Sequence, residues 1–203
     1  MNENSRSAYF DSIADKWDGW DCLTALRHKF AAGFDAMGVN PDETVLDVGC
    51  GTGNLTSALL ARLSATGRVI AIDISPRMIE VARNKVRDDR VVWHTVDATR
   101  LPLSAEHCDR VFCFSVWPHF HDPGAAAIEF RRVLKPGGHL HVWHLISRAR
   151  VNEIHATAGA AVSQDLLLPA EETAGLLSRL GFQIVSLADS PEHYLITAVK
   201  PSG

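Results

Sequence analysis

The sequence has 203 residues, 46% of them hydrophobic and 22% charged, with a formal net charge of −4. That balance excludes a disordered chain, and the length suits one α/β domain that buries a core without disulfide or metal staples. The acidic net charge disfavours a nucleic-acid backbone as main partner, and no apolar run approaches the roughly 18 residues that a membrane span needs.

Met1 to Asp18 are polar and acidic, with neither the apolar stretch of a secretion signal nor a transit-peptide composition, so a cytoplasmic location is expected. Residues 1–40 are expected to form an N-terminal helical arm on a single domain spanning 1–203. Pro41-Asp42-Glu43 makes a turn, and Thr44 to Val48 is an apolar run suited to a strand buried on both faces. A glycine turn leads into a helix from about Leu55 to Ser64. Val69 to Ile74 reads as a second buried strand. Ser75 is placed as N-cap and Pro76 as first residue of a helix that runs to about Val86. Val91 to Val96 is a third strand and Asp109 to Val116 a fourth. Pro123 to Leu134 is a helix ended by Lys135-Pro136-Gly137-Gly138, before a fifth strand from His139 to Ile146. Residues 148–168 are expected to be mainly helical, within a lid-like insertion over 147–168. Pro169 to Leu180 is a helix closed by Gly181 at C′. Phe182 to Leu187 and Tyr194 to Val199 are strands separated by Asp189-Ser190-Pro191.

Strands alternating with helices predict a doubly wound α/β fold, a mostly parallel seven-stranded sheet with helices on both faces. The last link is too short for a crossover helix, so the last two strands should pair antiparallel. Cys22, Cys50, Cys108 and Cys113 form no C-x-x-C pair and read as reduced thiols.

Ligands in such sheets bind beyond the carboxyl ends of the strands, near the point where strand order reverses. The first strand–turn–helix reads Val45-Leu46-Asp47-Val48-Gly49-Cys50-Gly51-Thr52-Gly53-Asn54. A dinucleotide fingerprint wants its third glycine at position 54, where asparagine stands, and the G-K-[S/T] ending of a P-loop is absent. G-x-G-x-G behind an acidic residue resembles the class I S-adenosylmethionine-dependent methyltransferases of small-molecule type. Asp73 closes the second strand, 20 residues after Gly53, and Asp97 follows the third with Ala98 beside it. Leu134-Lys135-Pro136-Gly137-Gly138 resembles the family's turn before the fifth strand. Tyr9-Phe10-Asp11-Ser12-Ile13-Ala14, with Trp17-Asp18, resembles the arm that closes over the cofactor. The resemblance covers about residues 8–199.

This resemblance implies a Rossmann-like sheet, S-adenosyl-L-methionine as cofactor and S-adenosyl-L-homocysteine as product. It implies that Gly49, Cys50, Gly51 and Gly53 bring backbone to the methionine and ribose portions, with Asp47 toward the tail ammonium. Asp73 would accept the ribose hydroxyls, Ile74 and Met78 sandwich the adenine, and Asp97 with the backbone of Ala98 receive its amino group. Ser115 joins this set from the end of the fourth strand. Tyr9 and Trp17 are suited either to lie against the sulfonium cation or to pack on the core.

Six of the ten histidines fall between positions 119 and 155. His139 and His141 share a strand face away from the cofactor edge and read as structural, partly buried and bonded to backbone. His119, just past the fourth strand, His144, near the end of the fifth, and His155, in the lid, are expected to converge on the substrate. Two readings stay open: a neutral imidazole as general base, or a divalent metal held by the three. Arg83, Lys85, Arg87 and Arg90 form a solvated charge run, and Arg131, Arg132 and Lys135 complement a helix end. Arg148 and Arg150 begin the lid and are suited to an anionic substrate. The reading is a monomeric or homodimeric enzyme methylating a small molecule by in-line displacement, with no nucleic-acid or membrane partner. An RNA or protein methyltransferase would instead carry a basic rim around the cofactor mouth. A non-catalytic S-adenosylmethionine-binding protein is the third reading, against which the intact Asp47, Asp73 and Asp97 argue.

Overall fold

Alternating apolar segments build one sheet from β1 (Thr44–Val48), β2 (Arg68–Asp73), β3 (Val91–Thr95), β4 (Cys108–Phe114), β5 (Leu134–His144), β6 (Gln183–Asp189) and β7 (Tyr194–Val199). The computed structural model describes residues 3–20 and 22–203; Met1, Asn2 and Asp21 of the expected arm lie outside the described residues. The strand order is β3-β2-β1-β4-β5-β7-β6. β1 to β5 are parallel, and β7 runs antiparallel between β5 and β6. Strand order reverses between β1 and β4, so a crevice opens at their carboxyl ends.

The helices are α1 (Glu3–Ile13), α2 (Leu23–Ala36), α3 (Asn54–Arg62), α4 (Pro76–Lys85), α5 (Pro123–Val133), α6 (Arg148–Thr157) and α7 (Ala170–Arg179), with a 3₁₀ segment at Ala14–Trp20. Among the described residues no helix is long and apolar enough to cross a membrane. Successive strand side chains point to opposite faces. Leu46, Val48, Ile70, Ile72, Val111 and Val142 pack toward Phe130 of α5 and Leu177 of α7. Val45, Val69, Phe112 and Trp143 pack the other way, against Phe30 and Phe34 of α2 and Leu55 and Leu59 of α3. Ser75 caps α4 as expected, its Oγ accepting the Met78 N–H at 3.0 Å with Pro76 behind it.

Three expectations need correction. β5 begins at Leu134, not His139, because Leu134 pairs with Cys108 across a register shift that keeps Lys-Pro-Gly-Gly in the ladder. Residues 158–168 are not helical: Gly159 takes φ +115°, outside the helical range, and the chain beyond α6 runs as turns that bury Val162, Asp165 and Leu167. The cations thought to be free are engaged. Arg148 pairs with Asp189, Arg150 with Glu153, and Arg90 with Asp88 and the carbonyls of Leu60, Leu63 and Ser64.

A charged network sits near the amino ends of the strands. Arg110, 2% exposed, forks onto Glu43 at 2.7 and 2.9 Å and donates to the carbonyls of Met37 and Gly38. Its Nη1 lies 2.7 Å from His141 Nε2, which must therefore accept, leaving Nδ1–H to donate to Thr197 Oγ1 at 3.0 Å. Burial first, and then the Arg110 charge, hold His141 neutral, well below its usual pKa. His139 is stacked on His141 at 6.0 Å. His141 is thus structural, but its partners are side chains and not the expected backbone.

Candidate active site

The turn after β1 is shaped by what crosses it. Gly49 has φ +64°, and a Cβ there would stand 2.3 Å from Val116 Cγ2, so the residue must be glycine for the loop after β4 to pass. The turn is tied to the end of β2. Cys50 N–H donates to Ile72 O at 2.9 Å, and Gly51 N–H donates to Asp73 Oδ2 at 2.9 Å. Asp73 Oδ1 accepts the Ser75 N–H at 2.9 Å. Asp73 is thus a buried carboxyl pinned by backbone, and burial pushes its pKa up to about 6.

A cavity of about 250 Å³ opens beside this turn, near the lower edge of the roughly 300–1,000 Å³ of ligand pockets. Of the residues expected at a ligand, Trp17, Gly49, Gly51, Asp73, Ile74, Met78, Asp97, Ala98, Ser115 and His119 line it. Asp97 does so while its Oδ1 accepts the N–H and hydroxyl of Thr99, so it caps a turn as well. Ser115 takes φ +54°, unusual for a residue other than glycine. Its N–H still donates to Trp143 O of β5 at 2.9 Å, and the left-handed backbone turns the chain away beyond that bond.

Four of the residues expected at the cofactor do not line the cavity. Asp47 faces α3, where Thr56 donates to its Oδ2 at 2.5 Å; burial, and then the Asp73 charge, push its carboxyl up to about 7. Cys50 is buried against Ala71 and Ile79, and burial raises its thiol pKa, so it stays protonated. Gly53 is the N-cap of α3. Tyr9 donates its hydroxyl to Ala158 O at 2.9 Å and lies edge-on to Phe10.

The arm forms the cavity's cover through Arg6, Phe10 and Trp17. Polar contacts hold it down. Asp11 Oδ1 accepts from Ser75 Oγ at 2.5 Å and from Arg77 N at 3.1 Å, Ser7 donates to Ile74 O, and Asp15 pairs with Arg77. Asp18 accepts from Thr52 and Asn54 and pairs with Lys85 at 2.6 Å. Apolar anchoring is slight, as the arm's composition foretold, with Ala14 buried and Phe10 half-buried.

The three candidate histidines gather only in part. His119 and His155 have ring centroids 4.7 Å apart. His119 Nδ1 stands 2.8 Å from Asp165 Oδ2, and His155 Nδ1 stands 2.5 Å from the Asp165 backbone oxygen. His144 is buried edge-on against Tyr194 of β7, its Nε2 without a partner, and burial followed by the nearby His119 and His155 lowers its pKa to about 3. His119 alone of the three lines the cavity. Among the described residues no group of three or more His, Cys, Asp or Glu is placed to hold a metal ion. The metal reading of the cluster gains no support from this arrangement, in which His119 and His155 meet Asp165 through Nδ1 and His144 packs against Tyr194 of β7.

Sequence reasoning missed Arg6, Asp165, Thr99, Val116, Phe120, His121, Asp122 and the cavity role of Phe10. No local signal marks Asp165, whose partners Arg6 and His119 are remote in sequence.

The chain is similar in sequence and fold to several methyltransferases. Residues 46–142 match the family described as methyltransferase domain. Methyltransferase GfsG of Streptomyces halstedii is 33% identical over 181 residues, covering 84% of this chain and 62% of that protein. The ubiquinone/menaquinone biosynthesis C-methyltransferase UbiE of Bordetella parapertussis is 36% identical over 139 residues, covering 66% of this chain and 54% of that protein. The chain thus spans less than two thirds of the length of these relatives. A SAM-dependent methyltransferase from Aquifex aeolicus shares the fold, with a TM-score of 0.75 at 20% identity over 92% of this chain and 98% of that one.

Proposed function

We propose that the chain is a class I S-adenosylmethionine-dependent methyltransferase that methylates a small molecule, with His119 taking the acceptor's proton. One observation carries this reading: a single cavity holds both the glycine turn with Asp73 and the His119 imidazole. The residues fit the cofactor. Each Asp73 oxygen accepts one backbone N–H and keeps a lone pair for the adjacent hydroxyls of a ribose. Ile74 and Met78 offer the adenine its apolar faces, Asp97 and Ala98 its edge, and Gly49 and Gly51 the backbone for the tail. Bound S-adenosylmethionine supplies an electrophilic sulfonium methyl group. The chain supplies alignment, exclusion of water by the arm, and a base at His119, which burial keeps neutral against the upward pull of Asp165.

The small-molecule reading is supported by the charge of the walls. Arg6, the one Lys or Arg side chain lining the cavity among the described residues, is committed to Asp165, whereas Asp73, Asp97 and Asp122 are acidic. A phosphate backbone would find no free cation there. Incubation with methyl-labelled S-adenosylmethionine should label members of a panel of small alcohols, thiols and amines. Label confined to RNA or protein would overturn the reading.

Asp73→Ala should weaken binding of S-adenosylhomocysteine by about 1.5–3 kcal/mol, or roughly 10- to 150-fold, in titration calorimetry. The wild-type affinity should also depend on pH. Ribose hydroxyls favour the ionised carboxylate, so a site with a ligand-free pKa of about 6 binds roughly tenfold more weakly at pH 5 than at pH 8. A flat profile would remove Asp73 from the ribose site. The raised carboxyls of Asp73 and Asp47 also bind more protons folded than unfolded between about pH 4 and 7. Their contribution to stability therefore falls as pH rises through that window.

Residues 3–20 must part from α4 and the glycine turn to admit ligand. Their amide hydrogen exchange should slow when S-adenosylhomocysteine binds, and equal protection with and without it would count against a gating arm.

A further inference from the structure

Asp165 lies in the segment between α6 and α7, outside the cavity, yet it is the hub of the groups around His119. It is 4% exposed and joins three segments remote in sequence. Oδ2 faces His119 Nδ1 at 2.8 Å and accepts Arg6 Nε–H at 3.2 Å, while Oδ1 accepts Arg6 Nη2–H at 2.5 Å. Arg6 stands on α1, within the arm. The His119 ring also meets Phe10, edge-on at 5.2 Å, and His155.

Building on the assignment of His119 as base, we propose that Asp165 is a positioning residue for His119 and that Arg6 makes this positioning conditional on closure of the arm. An ionised carboxylate accepts only, so His119 Nδ1 must carry the proton and Nε2 is the nitrogen left to serve the cavity. Without that bond the proton is free to sit on Nε2, where it blocks the base. Burial raises the Asp165 pKa, but the hydrogen bonds from His119 and Arg6 and their charges outweigh it, and the carboxyl stays ionised. Arg6 arrives only when α1 is down, and its two-pronged grip fixes the carboxylate in the orientation that meets Nδ1. As the acceptor gains the methyl group it gives its proton to Nε2. The positive charge lost from sulfur then resides on the imidazolium, against Asp165. Arm closure and base competence become one event, so a nucleophile is activated only behind a closed arm.

The test uses the whole chain with ¹⁵N-labelled histidine and S-adenosylhomocysteine as the probe. In the saturated wild type at neutral pH, nitrogen NMR should show His119 as the Nδ1–H tautomer. Asp165→Asn should move it to Nε2–H or to a mixture, with S-adenosylhomocysteine affinity within about threefold of wild type. Arg6→Ala should speed solvent exchange of the Nδ1 proton at least tenfold. A wild-type ring in the Nε2–H form, or an unchanged tautomer in Asp165→Asn, overturns the role of Asp165; unchanged exchange in Arg6→Ala overturns the coupling to the arm. Should Asp165→Asn fail to fold, the wild-type tautomer and the Arg6 variant still decide. The tautomer can be read without ligand as well. Failure to bind S-adenosylhomocysteine with the Nδ1–H form present would sink the proposed function and spare the Asp165–His119 pairing, whereas methyl transfer with the wrong tautomer would sink this inference alone.

Discussion

Glu43→Ala is expected to lower the unfolding free energy by about 3–5 kcal/mol, the usual cost of leaving a buried charge without its partner. Arg110 would keep only two carbonyls and His141 as acceptors for a guanidinium that is 2% exposed, and none of these carries a countercharge. Urea unfolding should show a lower midpoint with an unchanged slope, because the folded surface is preserved. Pairing Glu43→Leu with Arg110→Met should recover much of the loss, since it removes both charges and not one. Affinity for S-adenosylhomocysteine should be unaffected in either variant, because the network lies at the amino ends of β1 and β4 and the cavity at their carboxyl ends. A midpoint shift below about 1 kcal/mol would mean that water reaches Arg110.

His119→Ala should reduce turnover of an accepted small molecule by about 10²- to 10⁴-fold, the usual worth of a positioned base. S-adenosylhomocysteine affinity should stay within about threefold, because the imidazole acts on the acceptor and not on the nucleotide. Turnover by the wild type should be insensitive to chelators. It should rise with pH through a midpoint below the ordinary histidine value, since burial lowers the His119 pKa more than Asp165 raises it. A variant retaining a tenth or more of wild-type turnover would assign proton removal to solvent or to another group.

The strands of the sheet centre were legible because burial on both faces leaves a continuous apolar run, as in Val69 to Ile72. The same feature hid Asp47. Where both faces are buried, sequence carries no sign of which face a carboxyl meets, and only the packing of Thr56 on α3 shows it. Lys135 to Gly138 carries turn chemistry, which by itself predicts a turn. The strand forms there because Gly137 N–H meets Lys200 O and Lys200 N–H meets Gly138 O, a pairing with a distant segment. Asp73 and Asp97 were legible from their fixed places after β2 and β3. Asp165 was not, since its partners lie 159 and 46 residues away and no local pattern encodes such a meeting. His144 was placed at the right end of β5, but the strand that buries it is β7, fifty residues further on.

The place of β7 between β5 and β6 has a kinetic consequence. β6 touches the rest of the sheet only through β7, so it has no docking edge of its own until its successor in the chain exists. The two strands must first close as a hairpin, a local event, and then zip onto β5 across the long connection that carries α6 and α7, a slower one. Until they do, the outer edge of β5 offers a row of unpaired backbone groups to any strand that arrives. The hairpin of another copy presents the same side chains in the same register as the chain's own. Exchange of β6–β7 between two chains is thus the misassembly this topology invites, and dilution during refolding is what suppresses it.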